Sequence, residues 1–283
     1  MRAFAWMVVF CVCVATVPTW AKDKIEKVTF DFSQHSWVLY LVVPDKNEPM
    51  PLLVVLHGSG RNGEIMAQAW KDLARREGFI VAAPDSFDSA MWGSTIDPPE
   101  FFRAVVDQVK TRHAIDASRV YLFGHSAGAT YALFLAVIDS DLFAATAIHA
   151  GALQGNPEGL FEQADRKMPI AIWVGNHDPF FPVDMVEATK RLYAANGFPI
   201  NVSLIPNHDH NYYVISDEVN GKAWNFLKDT HIPDASSNEG VKEAGSPRPP
   251  LTGRAQYNST PMRYIVNVPS TPFGSQLPTA ASW

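Results

Sequence analysis

Apolar positions along this chain follow two rhythms, short unbroken runs and longer stretches in which they recur about every four residues. Residues 37–43, 52–56, 79–83, 144–148, 170–174 and 201–205 are runs of strand length. Most lack the in-and-out alternation of a half-exposed strand, so they predict strands covered on both faces. Between them, residues 64–77 place Ile65, Ala69 and Leu73 along one helical face. Another helix starts at Pro98-Pro99-Glu100, and its Phe101, Val105 and Val109 fall four apart, the spacing of a helix lying on a sheet. Residues 183–196 predict a helix stopped by Gly197. Ser216 is placed to cap the last helix, which carries Asp217 and Glu218 in its first turn and Val219, Ala223 and Phe226 inside. Strand alternating with helix in this way predicts an α/β protein with a mostly parallel sheet and helices on both faces.

The sharpest local signal lies at residues 120–138, where a strand-like run passes through Gly124-His125-Ser126-Ala127-Gly128 into an apolar run of helix length. This is the G-x-S-x-G pattern of a nucleophile elbow in its strand–turn–helix setting. Glycines at 124 and 128 let the two backbones crowd together, so the turn tightens and the Ser126 hydroxyl projects from the top of the sheet. A serine needs a base to take its proton, and in folds built on this elbow the acid and then the histidine follow the serine in the chain. The strand at 170–174 runs into Gly175-Asn176-His177-Asp178-Pro179, which makes Asp178 the candidate acid. Its role would be to accept the Nδ1 proton of the histidine. The strand at 201–205 leads into a loop with two histidines, His208 and His210, and spacing alone does not separate them.

These motifs resemble the secreted esterases related to polyhydroxybutyrate depolymerases and feruloyl esterases, within the α/β-hydrolase superfamily. The resemblance covers about residues 36–230. It implies an α/β-hydrolase fold, and residues 150–168, between two of the strands, are too few for a large helical lid. It also implies a catalytic histidine followed two residues later by an aromatic, which His210-Asn211-Tyr212 satisfies and His208-Asp209-His210 does not. Leu56-His57-Gly58-Ser59-Gly60 stands where the family keeps its oxyanion loop, Ile115-Asp116-Ala117-Ser118-Arg119 resembles the lead into the elbow strand, and Trp92 sits where relatives carry a cleft tryptophan. The expected oxyanion donors are therefore the Ala127 N–H at the helix start and the Ser59 N–H, with the Gly58 N–H as the alternative. His57 is expected to be a structural neighbour of the site, and His125, His149 and His177 to be packing or hydrogen-bonding residues. Trp92, Phe180 and Tyr212, with Phe181 and Tyr213, are the aromatics expected to line a substrate cleft. Two features depart from the group: Ala129 replaces a second glycine after the elbow, and the cysteines of the disulfide-bonded members are missing.

Composition bounds the rest. With 283 residues, 47% of them hydrophobic, the chain is long enough for one large core. Residues 1–21 open with Arg2, continue as an uncharged apolar stretch and end in Pro18-Thr19-Trp20-Ala21, the build of a secretory signal peptide. The apolar stretch is short beside the roughly 20 residues of a spanning helix, so no stable membrane insertion is expected after cleavage. Both cysteines, Cys11 and Cys13, lie inside it, leaving residues 22–231 as a catalytic domain with neither disulfide nor thiol ligand. Cleavage would remove one basic residue, Arg2, and no acid, taking the net charge from −6 to −7. An acidic chain without a basic block has no electrostatic footprint for nucleic acid. His208 and His210 lack a nearby third ligand, so neither a metal nor any other cofactor is expected. Residues 232–283 hold eight of the 21 prolines among Ser, Thr, Gly and Asn, which predicts a disordered tail. The function expected is a secreted or periplasmic serine carboxylesterase acting on a small or polymeric ester, with oligomeric state undetermined. Amide hydrolysis or acyl transfer by the same residues, or a hydrolase fold that only binds, are the other classes.

Overall fold

The computed structural model describes residues 24–154 and 157–233. The expected signal peptide (1–21) and the tail beyond residue 233 lie outside these residues. Eight strands form one sheet in the order β1-β2-β4-β3-β5-β6-β7-β8. Strands β1 (Glu26–Phe32) and β2 (His35–Val42) make an antiparallel hairpin, and β2 runs antiparallel to β4 (Ile80–Pro84). The other strands, β3 (Met50–Leu56), β5 (Ile115–His125), β6 (Ala145–His149), β7 (Ile170–Gly175) and β8 (Ile200–Ile205), pair in parallel with their neighbours.

The two-residue period of each strand divides the core into two layers. Leu52, Val54, Leu122, Ile148 and Ile172 face α2 (Pro99–Lys110), α3 (Ala127–Ile138) and α4 (Val183–Ala195). Leu53, Val55, Phe123, Ala147 and Trp173 face α1 (Gly63–Glu77) and α5 (Ser216–Leu227), where Trp70 and Trp224 are buried. Eleven of the twelve residues of α3 are buried, so this helix lies inside the protein. Among the described residues, no helix is long and apolar enough to cross a membrane.

Helix boundaries follow local chemistry except at one end. Asn62 accepts the Ile65 N–H at 3.1 Å and starts α1, and Gly78 ends it in the left-handed region at φ 81°. Ser216 is not the cap that the sequence suggests. A single 3-10 turn, Tyr212–Val214, feeds directly into α5, so the residue before the helix is Ile215 and Ser216 already belongs to the first turn. Its hydroxyl is directed at the Tyr213 carbonyl, 3.5 Å away. The strand β1 is an addition to the sequence reading, and β5 begins five residues before residue 120.

The crossing of β5 and α3 leaves no room for a methyl group. A Cβ on Gly128 would sit 2.5 Å from the Leu56 carbonyl oxygen and 2.6 Å from that of His57; one on Gly124 would sit 2.3 Å from the Gly128 oxygen. Gly128→Ala is therefore expected to lower unfolding free energy by about 3 kcal/mol or more, since backbone on both sides must shift. Gly221→Ala, in α5 with nothing within 4 Å of its added Cβ, should instead raise stability by about 0.5–1 kcal/mol. Urea titration of the two variants beside wild type checks the contrast; equal midpoints would contradict the close crossing.

Candidate active site

The ends of β3, β5, β7 and β8 bring together residues from loops far apart in the chain. Ser126 occupies the turn between β5 and α3 at φ 58°, ψ −118°, a conformation that non-glycine residues rarely adopt. Its N–H donates to the His149 carbonyl at 3.1 Å and its carbonyl accepts the Thr130 N–H at 3.0 Å, so neighbouring β6 and the first turn of α3 both hold the strained residue.

The loops after β7 and β8 are tied to each other before they reach the serine. The Asn176 N–H donates to Ile205 O at 3.1 Å and the His177 N–H to His208 O at 3.0 Å. A Cβ on Gly175 would lie 2.2 Å from His208 O, so the histidine loop crosses directly over a bare glycine. The crossing brings His210 Nδ1 to 2.8 Å from Asp178 Oδ2 and His210 Nε2 to 2.9 Å from Ser126 Oγ. A carboxylate only accepts, so Nδ1 carries the proton and Nε2 is left to accept from the serine hydroxyl. The other Asp178 oxygen accepts the Phe180 and Phe181 N–H groups, each at 2.9 Å. Burial alone would raise the pKa of Asp178, but the hydrogen bond and charge of His210 and the two amides hold it below the ordinary carboxylate value. Phe180 stands edge-on to the His210 ring at 4.8 Å, and Phe181 stacks on it at 5.7 Å.

Of the two candidate histidines, His210 is the one brought to Ser126. His208 turns under the loop, edge-on to His149 with ring centroids 5.6 Å apart, and its Nε2 has no hydrogen-bond partner among the described residues. His149 in turn places its Nδ1 3.1 Å from Nδ1 of His125, whose ring lies 5.0 Å from that of His210. His125 and His149 are thus packing residues in a buried imidazole pair beneath the site. His177 is exposed and contributes only its backbone.

The loop after β3 passes over Ser126, since a Cβ on Gly58 would be 3.2 Å from Ser126 Cβ. Its peptide planes are pinned through their carbonyls. The Trp92 indole N–H donates to His57 O at 2.8 Å, while Gly58 O accepts His57 Nδ1–H at 2.9 Å and the Arg61 N–H at 3.2 Å. A trans peptide points its N–H opposite its C=O, so these bonds also fix the directions of the Gly58 and Ser59 N–H groups. Neither N–H has a hydrogen-bond acceptor among the described residues. Ala127 is the first residue of α3, where an N–H has no partner within the helix. His57 Nε2 faces the Ser86 N–H at 3.2 Å, which braces the imidazole from the loop after β4.

Three expected cleft residues are corrected by this geometry. Trp92 is 2% exposed, Phe181 is 1% exposed and Tyr212 is fully buried. Trp92 spends its N–H on His57 O, and Tyr212 donates its hydroxyl to Asn220 Oδ1 at 2.6 Å on the α5 side of the sheet. Both rings lie behind the site, because the polar tip of each found a partner inside the protein. Phe180 and Tyr213 remain partly exposed. Missed entirely by sequence reasoning were Ser86, the bare surface of Gly175 and the stacking of Arg61 on Tyr213.

An eight-stranded, mostly parallel sheet carrying its serine on a strand–turn–helix elbow is the α/β-hydrolase fold. The Dienelactone hydrolase family profile matches residues 97–231. The chain is 30% identical over 160 residues to the esterase homologue NocK of Nocardia uniformis subsp. tsuyamanensis, covering 50% of this chain and 44% of that one. It is 32% identical over 114 residues to poly(3-hydroxyalkanoate) depolymerase C of Paucimonas lemoignei, covering 36% and 28% of the two chains. It therefore spans less than half the length of these curated relatives. The crystal structure of a ferulic acid esterase from Anaeromyces mucronatus superposes with a TM-score of 0.59 at 17% identity, over 73% of this chain and 90% of that one. Within the superfamily the chain resembles the polyhydroxybutyrate depolymerase and feruloyl esterase group.

The buried imidazoles set the acid stability. Burial lowers the pKa of His57, of His125 to well below its usual value and of His149 to about 3. In the unfolded chain each titrates near about 6.5, so as the pH falls through that value the unfolded state takes up protons that the folded state refuses. Burial also raises Asp97 to about 6 and Asp139 to about 7, the latter despite Arg103 at 2.7 Å. Those two carboxyls hold protons that the unfolded chain has released, which favours folding at lower pH and opposes the histidines. His149, held down at about 3, stays uncharged from about pH 4.5 to about 6 while the same residue in the unfolded chain is protonated, so His149→Phe should lower the slope of stability against pH over this range by about 1.4 kcal/mol per pH unit. Urea midpoints across this range measure it, and a slope unchanged in the variant would show that His149 is not held neutral.

Proposed function

We propose that the protein is a serine carboxylesterase that cleaves ester bonds through an acyl-enzyme. The observation that carries this reading is the continuous chain from Ser126 Oγ through His210 to Asp178, at 2.9 and 2.8 Å. In the proposed cycle, neutral His210 Nε2 takes the Ser126 proton as Oγ attacks the ester carbonyl. Asp178 accepts the Nδ1–H bond throughout and stabilises the imidazolium. The carbonyl oxygen becomes negative in a space facing the Ala127 N–H and the Ser59 N–H, with Gly58 N–H beside them, and each fixed donor supplies a few kcal/mol there (~3). His210 then protonates the leaving alkoxide, and a water deprotonated by the same nitrogen releases the acyl group. The strain at Ser126 and the directed amides favour this reading over a fold that only binds.

Relatives described as a poly(3-hydroxyalkanoate) depolymerase and a ferulic acid esterase suggest hydroxyalkanoate or aromatic acyl esters as substrates. Residues 150–169, between β6 and β7, are too few for a large helical lid, which suits an open cleft and a chain-like or aromatic ester. A panel of p-nitrophenyl, feruloyl and hydroxybutyrate esters beside a peptide anilide tests the class of bond. Turnover of the anilide alone would replace the esterase reading with an amidase.

Ser126→Ala is expected to lower kcat on a p-nitrophenyl ester by about 10⁴-fold, and His210→Ala by a similar amount, while His208→Ala costs about tenfold or less. Retention of a tenth of wild-type turnover by folded Ser126→Ala would remove the serine from the mechanism. Greater damage from His208→Ala than from His210→Ala would move the base.

Trp92→Phe keeps a ring in place but removes the donor to His57 O. It should lower kcat about tenfold with KM changed less than about twofold, because a loosened oxyanion loop weakens contacts made in the transition state. A raised KM with unchanged kcat would instead return Trp92 to the substrate cleft.

A further inference from the structure

Arg61 stands three residues beyond Gly58, on the loop that covers Ser126, and its side chain is exposed. Its guanidinium lies over the Tyr213 ring, 5.4 Å from the centroid. Tyr213 itself comes three residues after His210 and stands edge-on to His125 at 5.8 Å, while His125 directly precedes Ser126. A cation is therefore held between the serine-covering loop and the histidine loop, the two loops whose approach makes the site. No Asp or Glu among the described residues lies within 4.0 Å of it, whereas Arg76, Arg103, Arg112 and Arg119 all have such partners. The charge is felt beneath the rim, where it opposes protonation of His125 and partly offsets the burial that leaves the Tyr213 hydroxyl raised to about 12.

The contact changes what the side chain offers. Held over the Tyr213 ring, the guanidinium loses rotational freedom, and with no carboxylate within 4.0 Å among the described residues its N–H groups can bind a carboxylate through two parallel hydrogen bonds. In a chain of net charge −6, a cation on the loop that covers Ser126 runs against the overall field. It favours an anion at this rim over one elsewhere on the surface.

We propose that Arg61, braced by Tyr213, is a specificity residue that receives a carboxylate on the substrate, so that the preferred esters carry a free carboxyl group within a short chain of the scissile bond. This rests on the esterase reading and deepens it by naming the substrate class. The carboxylate belongs to the substrate and takes no part in bond making; it lowers the energy of the bound ester by a charge-assisted contact.

Matched substrates read the effect directly. Mono-p-nitrophenyl glutarate against p-nitrophenyl valerate places the charge on the acyl side, and 3-butyryloxybenzoate against phenyl butyrate places it on the alcohol side. In at least one pair, the anionic-to-neutral ratio of kcat/KM should fall about five- to tenfold in Arg61→Gln, and the wild-type ratio should shrink as salt is raised from 20 mM to 500 mM, conditions that take the Debye length from about 20 Å to about 4 Å. Tyr213→Leu should lower the same ratio by freeing the guanidinium. Ratios equal in wild type and Arg61→Gln for both pairs would overturn the proposal, and turnover of the neutral esters in that experiment would leave the esterase reading standing. Were no ester turned over at all, the esterase reading would fail by itself. Calorimetric titration with glutaranilic acid, which has no ester, would then decide the carboxylate site, with tighter binding to wild type than to Arg61→Gln supporting it and equal binding rejecting it.

Discussion

The site depends on one close crossing, where β5 turns into α3 against the end of β3. Two glycines allow it, because any Cβ at 124 or 128 would overlap backbone oxygen atoms. The crossing pushes Ser126 into a left-handed conformation that costs of order 1–3 kcal/mol, and the surrounding sheet must hold it there. The bond from Ser126 N–H to His149 O does part of that holding. The same turn puts Ala127 at the start of α3, where an N–H has no partner within the helix. The placing of Ser126 and of that amide are thus two results of a single packing constraint.

A second layer of residues fixes directions without reaching that space. Trp92 and His57 orient the loop over the serine through its carbonyls, and Gly175 lets the histidine loop cross close enough for Asp178 and His210 to meet. These are bonds and clearances made inside the protein, so they are present before any substrate arrives. Preorganised donors stabilise developing charge without moving at the moment of reaction. The aromatic residues follow the same economy: Trp92 and Tyr212 each find a buried acceptor and stiffen the walls, while Phe180 and Tyr213 stay at the opening.

Much of the sheet was legible because its central strands are buried on both faces and read as unbroken apolar runs. The β1 strand was not, since only Val28 and Phe30 among its seven residues are buried and the rest read as a polar leader. Strand–turn–helix context made the elbow readable from local sequence, whereas the choice between His208 and His210 depended on a loop crossing that spacing does not encode. Aromatic identity likewise says that a ring will be buried or half-buried, but not on which side of the loop it lies. Trp92 and Tyr212 were misplaced for that reason. Ser216 was misread because a capping residue is recognised by where the helix begins, and a preceding 3-10 turn moved that beginning forward.

The histidines show how one residue type divides into roles by solvation alone. His125 and His149 are sealed under the site, where burial keeps them uncharged, and their rings pack as polar aromatics. His210 stands only 5.0 Å from His125, yet it alone meets both a carboxylate and a hydroxyl. A charged imidazole beneath it would repel a positive charge on that ring. Keeping the lower pair neutral therefore leaves the floor of the site free of cations. Arg61 sits farther out, where its charge is shared with solvent, so a cation is tolerated at the rim and excluded from the floor.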